Sequence, residues 1–231
     1  MNDRFARSAL LIGEPGVSRL NRATVMVVGL GGVGGYAAEA LVRSGIGTLV
    51  VIDHDAVELS NFNRQILATE ESLGERKTEA FERRARSINP EVRVICYDAF
   101  LKADDISRFF SEKVDYVVDA IDTLTSKVML WKYCQENGIK VISSMGTARR
   151  LDPLKLQITT LDKTENDPMA RALRQIARKN GVSLKVPVVI SREPAKDSSA
   201  EALGSMMFVP ASAGILCASR VISDLIDNQN G

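Results

Sequence analysis

The sequence predicts one α/β unit of Rossmann-like type: a mostly parallel sheet with flanking helices and a small C-terminal extension. Three observations carry that prediction. Over the first two thirds of the chain, apolar β-branched runs of strand length alternate with helix-length segments, a pattern that implies parallel pairing with right-handed crossovers. The first run, Val25–Val28, opens into Gly29-Leu-Gly31-Gly32-Val-Gly34. Such a turn lets backbone N–H groups approach phosphate oxygens at a helix N-terminus. A carboxylate, Asp53, follows the next run, 19 residues after Gly34, where ribose hydroxyls find an acceptor in folds of this kind.

Residues 2–22 read as a polar, partly helical lead-in. Strand signals at 24–28, 48–52, 92–97, 115–119 and 140–144 alternate with helix signals at 33–43, 75–88 and 124–137 and with a short helix near 104–111. The stretch 53–73 is long and irregular for a strand-to-helix connection, which marks a working loop. Beyond Gly146 the rhythm changes. Segments 154–160 and 184–190 look like strands outside the parallel core. Between them, 168–179 reads as a helix with Pro168 at its start and Gly181 beyond its end. Residues 192–205, rich in Ser, Ala, Glu and Pro, read as a mobile loop, and an apolar helix over about 210–226 closes the chain. The chain therefore divides into a nucleotide-binding part, 1–146, and an extension, 147–231, within one structural unit.

The 231 residues suffice for one substantial core, and 30 basic side chains nearly cancel 29 acidic ones. The first residues are charged and lack the apolar stretch of a signal peptide, and no uninterrupted apolar run spans a membrane, so a soluble cytoplasmic protein is expected. Cys96, Cys134 and Cys217 are scattered and form no C-x-x-C pair, which excludes a paired-cysteine zinc site. Each reads as a small buried apolar residue dispensable for catalysis.

The glycine turn alone fits nicotinamide, flavin and methyl-donor binders as well as ATP. The run Asp53-His-Asp-Ala-Val-Glu-Leu-Ser-Asn-Phe-Asn-Arg-Gln65 narrows the choice, as do Gly74-x-x-Lys77, Asn89-Pro90 and Val117-Val-Asp-Ala-Ile-Asp122. With these motifs the chain resembles, from Arg4 to about Gly146, the ATP-dependent adenylating superfamily of the ubiquitin-activating enzymes and their bacterial ThiF/MoeB/HesA-type relatives. Phe208-Val-Pro-Ala-Ser212 and the absence of zinc cysteines make the second part similar to one bacterial branch, the tRNA threonylcarbamoyladenosine dehydratases.

That resemblance implies a set of roles. Gly29, Gly31, Gly32 and Gly34 would cradle phosphate, with Asp53, Asn61, Arg64, Gln65 and Lys77 completing the ATP site. Arg64 and Lys77 would offset charge on the α-phosphate; by composition alone they are solvated loop and helix charges. Asp122 would hold magnesium, against the alternative of a helix N-cap. Asp119 is the lesser ligand candidate, and Asp55 could serve either role. Arg7 would reach the ATP of the other subunit of a homodimer, against the alternative of a surface charge. His54, the single histidine, is not chosen as a base.

A second basic feature lies outside these motifs. Residues 171–196 carry Arg171, Arg174, Arg178, Lys179, Lys185, Arg192 and Lys196 against Glu193, a net of +6 (7 − 1), while the whole chain carries +1, leaving −5 for the rest. Arg171, Arg174, Arg178 and Lys179 share a predicted helix and read either as a solvated face or as an RNA backbone contact. The resemblance favours the RNA contact, with tRNA as substrate. It leaves open a cysteine desulfurase or sulfur-acceptor protein as partner.

The expected activity is ATP-dependent dehydration, by cyclisation, of threonylcarbamoyladenosine in tRNA through carboxylate adenylation, with ATP and Mg2+ as cofactors and no zinc. Within the same superfamily, the alternative is adenylation of the C-terminus of a small ubiquitin-like sulfur-carrier protein. From other classes, the alternatives are an NAD-dependent oxidoreductase and a non-catalytic module that keeps ATP as a structural ligand. The oxidoreductase does not account for Asn61–Gln65, Lys77 and Asp122 together.

Overall fold

The computed structural model describes residues 3–196 and 203–227. Seven strands form a single sheet: β1 (Thr24–Val28), β2 (Thr48–Asp53), β3 (Arg93–Asp98), β4 (Tyr116–Asp119), β5 (Lys140–Ser144), β6 (Leu156–Thr160) and β7 (Pro187–Ser191). Their spatial order is β3-β2-β1-β4-β5-β7-β6, parallel throughout except for the antiparallel β6–β7 pair at one edge. The helices are α1 (Ala6–Arg22), α2 (Gly34–Arg43), α3 (Lys77–Ile88), α4 (Leu124–Glu136), α5 (Pro168–Lys179) and α6 (Phe208–Ile226).

Central strands covered on both faces read as unbroken apolar runs, and here they separate two cores. Val25, Val27, Leu49 and Val51 face α2, α3, α6 and the end of α1. Met26, Val28, Val50 and Ile52 face α4, α5 and a 3-10 turn at Ile106–Phe109. α6 lies across α2 with Gly214 at the crossing, where a Cβ would come within 2.2 Å of the Val33 carbonyl oxygen. By length and composition α6 could cross a membrane, a qualification to the expectation drawn from uninterrupted runs. In the fold, its Val209, Ala213, Cys217 and Val221 are buried core.

One expectation is corrected. The strand anticipated at 184–190 spans Pro187–Ser191 and pairs in parallel with β5, inside the sheet. Val188, Val189 and Ile190 are apolar on both faces and fully enclosed, which requires a covered position. Pro187 occupies the first residue, where a strand tolerates a missing N–H. Only β6 is an outlying antiparallel strand; it begins at Leu156 because Asp152 accepts a bond from Leu154 N and turns Pro153–Lys155 into a 3-10 turn. The boundary at 146/147 thus falls at the end of a strand within one continuous sheet. The lead-in is helical through Arg22, kinked at Gly13 (φ 72°) ahead of Pro15. Part of the 192–205 loop, residues 197–202, lies outside the described residues.

Candidate active site

Crossovers from β1 run towards β2 and β3, whereas the chain returns to place β4 on the other side of β1. Loops at the C-terminal ends of β1 and β4 therefore part, and a crevice opens there, the usual ligand position in open α/β sheets. A cavity of about 400 Å³ occupies it, lined by Gly29, Gly31, Asp53, Asn61, Arg64, Gln65, Lys77 and Asp122 among others.

The glycine turn forms one wall. Gly29 has φ +88°, and a Cβ there would sit 2.8 Å from the Ala120 carbonyl oxygen; a Cβ on Gly34 would sit 1.7 Å from that of Gly29. Both positions hold the turn tight against β4. Gly31 is different: a Cβ there would find its nearest atom, Gln65 Nε2, at 4.0 Å, so this face is open to a phosphate. No side chain caps α2; Gly35 N bonds to Gly31 O at 3.0 Å, and the other N–H groups of the first turn are left to an anion. Gly32 faces Arg64 and Pro210 and Gly34 packs on the turn itself, so both shape the cradle from behind.

Asp53, buried at the end of β2, fastens this turn. Its Oδ2 accepts from Leu30 N at 2.6 Å and its Oδ1 from Asp55 N at 2.8 Å. Each oxygen keeps a lone pair for a ribose hydroxyl. Lys77, at the start of α3, is only 4% exposed yet lines the cavity, and its Nζ donates to Asp55 Oδ2 at 2.7 Å. Two ammonium protons remain for a phosphate. Burial acts against a charged Asp55, but the Lys77 hydrogen bond and charge, with His54 and Arg76 adding to them, hold its carboxyl below the ordinary value.

Asn61 opens the next wall. It is buried, its Oδ1 accepts from Glu58 N at 3.2 Å, and Gln65 N bonds back to its carbonyl at 2.9 Å. This compact turn presents Arg64, whose Nη1 donates to Ser60 O at 2.6 Å and to Asn63 Oδ1 at 3.0 Å.

The last wall is the loop after β4. Asp122 is exposed and does not cap α4: Thr123 stands at that position with no side-chain cap bond. Among the described residues its carboxylate bonds only to the Thr123 hydroxyl, at 3.5 Å, which leaves it available to a cation in the cleft. Asp119 is committed elsewhere. It is wholly buried, accepting from Lys127 Nζ at 3.0 Å and from Trp131 Nε1 at 2.7 Å. Lys127 also donates to Ile121 O at 3.0 Å, so this buried ion pair braces the loop that carries Asp122.

The cleft thus combines an anion cradle, two cations, and carboxylates of two kinds. Asp53 offers acceptors of the kind a ribose hydroxyl needs. Asp122 suits a hard divalent cation, which takes oxygen ligands and needs few of them from protein when phosphates supply the rest.

Sequence reasoning missed the wall formed by Ala99–Leu101 after β3, where Phe100 stacks edge-on against His54 with ring centroids 4.9 Å apart. No motif marks it, because Asp98 and Arg76 hold it in place through a long-range ion pair. Arg7 does not join its own cleft. Phe5, two residues earlier, packs by Gly45 beyond the far end of α2, roughly 15 Å along that helix from the phosphate cradle. On α5, Arg171, Arg178 and Lys179 are exposed. Arg174 is half-buried, donating to the carbonyl of Thr164 at 2.9 Å and to its hydroxyl, so it ties α5 to the preceding turn. α5 starts near the cleft side and runs about 18 Å away from it, ending beside the C-terminal end of α4.

The chain matches known proteins along nearly its whole length. The ThiF family model matches residues 5–230. A tRNA threonylcarbamoyladenosine dehydratase from Bacillus subtilis is 37% identical, covering 98% of this chain and 96% of its own. The Escherichia coli protein of the same name is 36% identical over 96% of this chain and 81% of its own. Its structure in complex with ATP superposes with a TM-score of 0.92, covering 97% of this chain and 94% of that one. A sulfur carrier protein adenylyltransferase from Thermus thermophilus is 38% identical over 130 residues, 55% of this chain. A match of this extent, over the strands, the cleft and the extension alike, shows that the chain belongs to the ThiF family and, within it, groups with the tRNA threonylcarbamoyladenosine dehydratases.

Proposed function

We propose that this chain is an ATP-dependent tRNA-modifying enzyme that dehydrates threonylcarbamoyladenosine to a cyclic form. One observation carries the proposal: a single cleft gathers an open phosphate cradle at Gly31, the cations Arg64 and Lys77, and the uncommitted carboxylate of Asp122. The threonine carboxylate is a poor electrophile because its leaving group would be oxide. Its oxygen attacks the α-phosphate of ATP, pyrophosphate leaves, and the carboxyl becomes an acyl-adenylate. The ureido nitrogen then attacks the acyl carbon, AMP departs with the former carboxylate oxygen, and a proton is lost as a five-membered ring closes.

Each side chain has a part in this sequence. Asp53 orients the ribose, and the N–H groups at the start of α2 hold the polyphosphate. Arg64 and Lys77 offset charge that develops on the α-phosphate and on the leaving pyrophosphate. Asp122 would hold Mg2+, which supplies charge neutralisation across the phosphates. Ring closure is intramolecular, so positioning supplies much of its rate.

Arg7, remote from its own cleft, serves the site of a second copy in a homodimer. The exposed Arg171, Arg178 and Lys179 face the tRNA backbone, and the enzyme works in the cytoplasm. The thiols of Cys96, Cys134 and Cys217 are all pushed up to about 12, chiefly by burial.

The test is mass spectrometry of tRNA nucleosides after incubation with the protein, ATP and Mg2+. Loss of one water from threonylcarbamoyladenosine, dependent on ATP, is the expected result. An unchanged nucleoside would refute the proposal. Calorimetry separates the oxidoreductase alternative: ATP should bind, and NAD binding without ATP binding would overturn adenylation.

A further inference from the structure

Beside the nucleotide cleft lies a second cavity, of about 370 Å³, lined by Arg149, Arg150, Leu151, Lys196, Gly204 and Met206. We propose that it is the close RNA-binding site, with Arg149 and Lys196 gripping a phosphodiester of the anticodon arm next to the modified nucleotide. This inference rests on the proposal that tRNA is the substrate.

The backbone here is built rather than incidental. Arg149 has φ +61°, a left-handed conformation for a residue with a side chain. It is held there by its own N–H to Gly204 O at 2.8 Å and by Lys196 N to its carbonyl at 2.9 Å. Strain of this kind in a non-glycine residue costs free energy and persists where the surroundings impose it, often at functional sites. The two bonds fix the Arg149 side chain between the loop after β5 and the segment leading into α6.

Among the described residues its guanidinium has no carboxylate partner. Arg149 Nε is enclosed and has no acceptor among the described residues. The described carboxylates around it are bound to other groups. Asp167 pairs with the buried Arg150 at 2.9 Å and caps α5 through Ala170 N at 2.8 Å. Glu193 accepts from Leu151 N at 2.9 Å and Asp152 N at 2.8 Å. Asp152 accepts from Leu154 N at 2.9 Å. Among the described residues Lys196 forms no ion pair either. An arginine with its fork unspent matches phosphate bidentately.

The position suits a substrate whose reacting atom must reach the ATP. Arg149 follows β5, the neighbour of β4 whose loop carries Asp122. Asn63, in the Asn-Phe-Asn-Arg-Gln turn, donates to Ser205 O at 2.8 Å, joining the two cavities through one segment. Leu151 and Met206, in its lining, are 44% and 48% exposed, and Met207 and Phe208 next in the chain are 41% and 50% exposed, giving apolar surface on which unstacked loop bases rest. Arg171 lies in the first turn of α5, whose cap is held by Arg150, so positive charge continues from this cavity onto that helix.

The test is fluorescence anisotropy of an anticodon stem-loop RNA across a salt series, with ATP calorimetry on the same samples. Arg149→Gly removes the side chain while accepting the left-handed backbone, so the fold is retained. Arg149→Gly and Lys196→Gln are each expected to weaken RNA binding about 10- to 100-fold and to flatten the log–log salt slope by about 0.7–0.9. ATP affinity should be unchanged. Wild-type RNA affinity and slope in both variants, or an equal loss of ATP affinity, would overturn the assignment. Failure of wild-type protein to bind the stem-loop would instead overturn the tRNA reading on which it rests. A loss confined to Arg171→Ser/Arg178→Ser would place the RNA on α5 alone and also overturn it.

Discussion

Replacing Lys127 with Met should show how the Asp122 loop is held. The Lys127 ammonium is fully buried and reaches Asp119 Oδ1 and Ile121 O, both at 3.0 Å. Met fills most of the aliphatic volume but removes the charge and both bonds. Asp119 is then a buried carboxylate left with Trp131 Nε1 at 2.7 Å and Ile121 N at 3.3 Å. Breaking a buried pair from one side costs about 3–5 kcal/mol, because the surviving charge stays desolvated. For a domain whose total stability is roughly 5–15 kcal/mol, that is a large share, and the melting temperature should fall by roughly 6–20 °C. Urea unfolding followed by tryptophan fluorescence is the assay. Trp131 is the only tryptophan in the chain and belongs to the network itself. Adding Asp119→Asn to Lys127→Met removes the stranded charge, and the double variant should recover much of the loss. ATP affinity should fall in the single variant as the loop from Ala120 to Thr123 loosens. A single-variant cost below about 1 kcal/mol, or costs that simply add in the double variant, would refute the bracing role.

Arg64→Ala, Lys77→Ala and Asp122→Ala should each lower the rate of ATP-dependent dehydration about 100- to 1000-fold with an unchanged circular dichroism spectrum; near wild-type turnover in any one would remove that residue from the site. Replacing Cys96, Cys134 and Cys217 together by Ala should leave turnover per folded molecule intact, because burial keeps these thiols protonated at neutral pH; a folded but inactive triple variant would point to a thioester route. Stability should decline in acid partly through Glu39. Burial disfavours its charge, yet hydrogen bonds and charges from Arg84 and Arg43 outweigh this and hold its pKa below 4.5. A carboxyl depressed in the folded state stabilises above its unfolded pKa and loses that contribution as pH falls through the lower folded value. Glu39→Gln should therefore be less stable than wild type at pH 7, with the difference closing below pH 4.5 in denaturant titrations; a constant difference would contradict the pairing.

Local patterns made much of this molecule legible without coordinates. Val25–Gly34 announced a strand, a phosphate turn and a helix because β-branched runs and turn glycines act through short-range sterics. Pro168 and Gly181 bracketed α5 because capping and chain termination are local too. Asp53, Asn61, Arg64, Lys77 and Asp122 were nameable from spacing and family likeness, and β1, β2, α3 and β4 bring them to one cleft because parallel strands all end on the same side.

Tertiary structure decided what spacing leaves open. Asp119 and Asp122 sit three residues apart, yet one ends β4 and is sealed against Lys127 and Trp131 while the other lies on the loop after it and faces the cleft, a difference set by what α4 packs against the strand end. Arg174 and Arg178 share a helix, but only Arg174 meets the Thr164 carbonyl, a contact made by a turn ten residues away. β7 joined the parallel sheet because its apolar residues need cover on both faces, a demand only neighbouring strands and helices can meet. The Arg149 cavity depends on Gly204, distant in sequence and joined by one backbone bond. Periodicity and caps report forces between residues near in sequence, whereas burial, ion pairing and pocket shape depend on which distant segments the fold brings together.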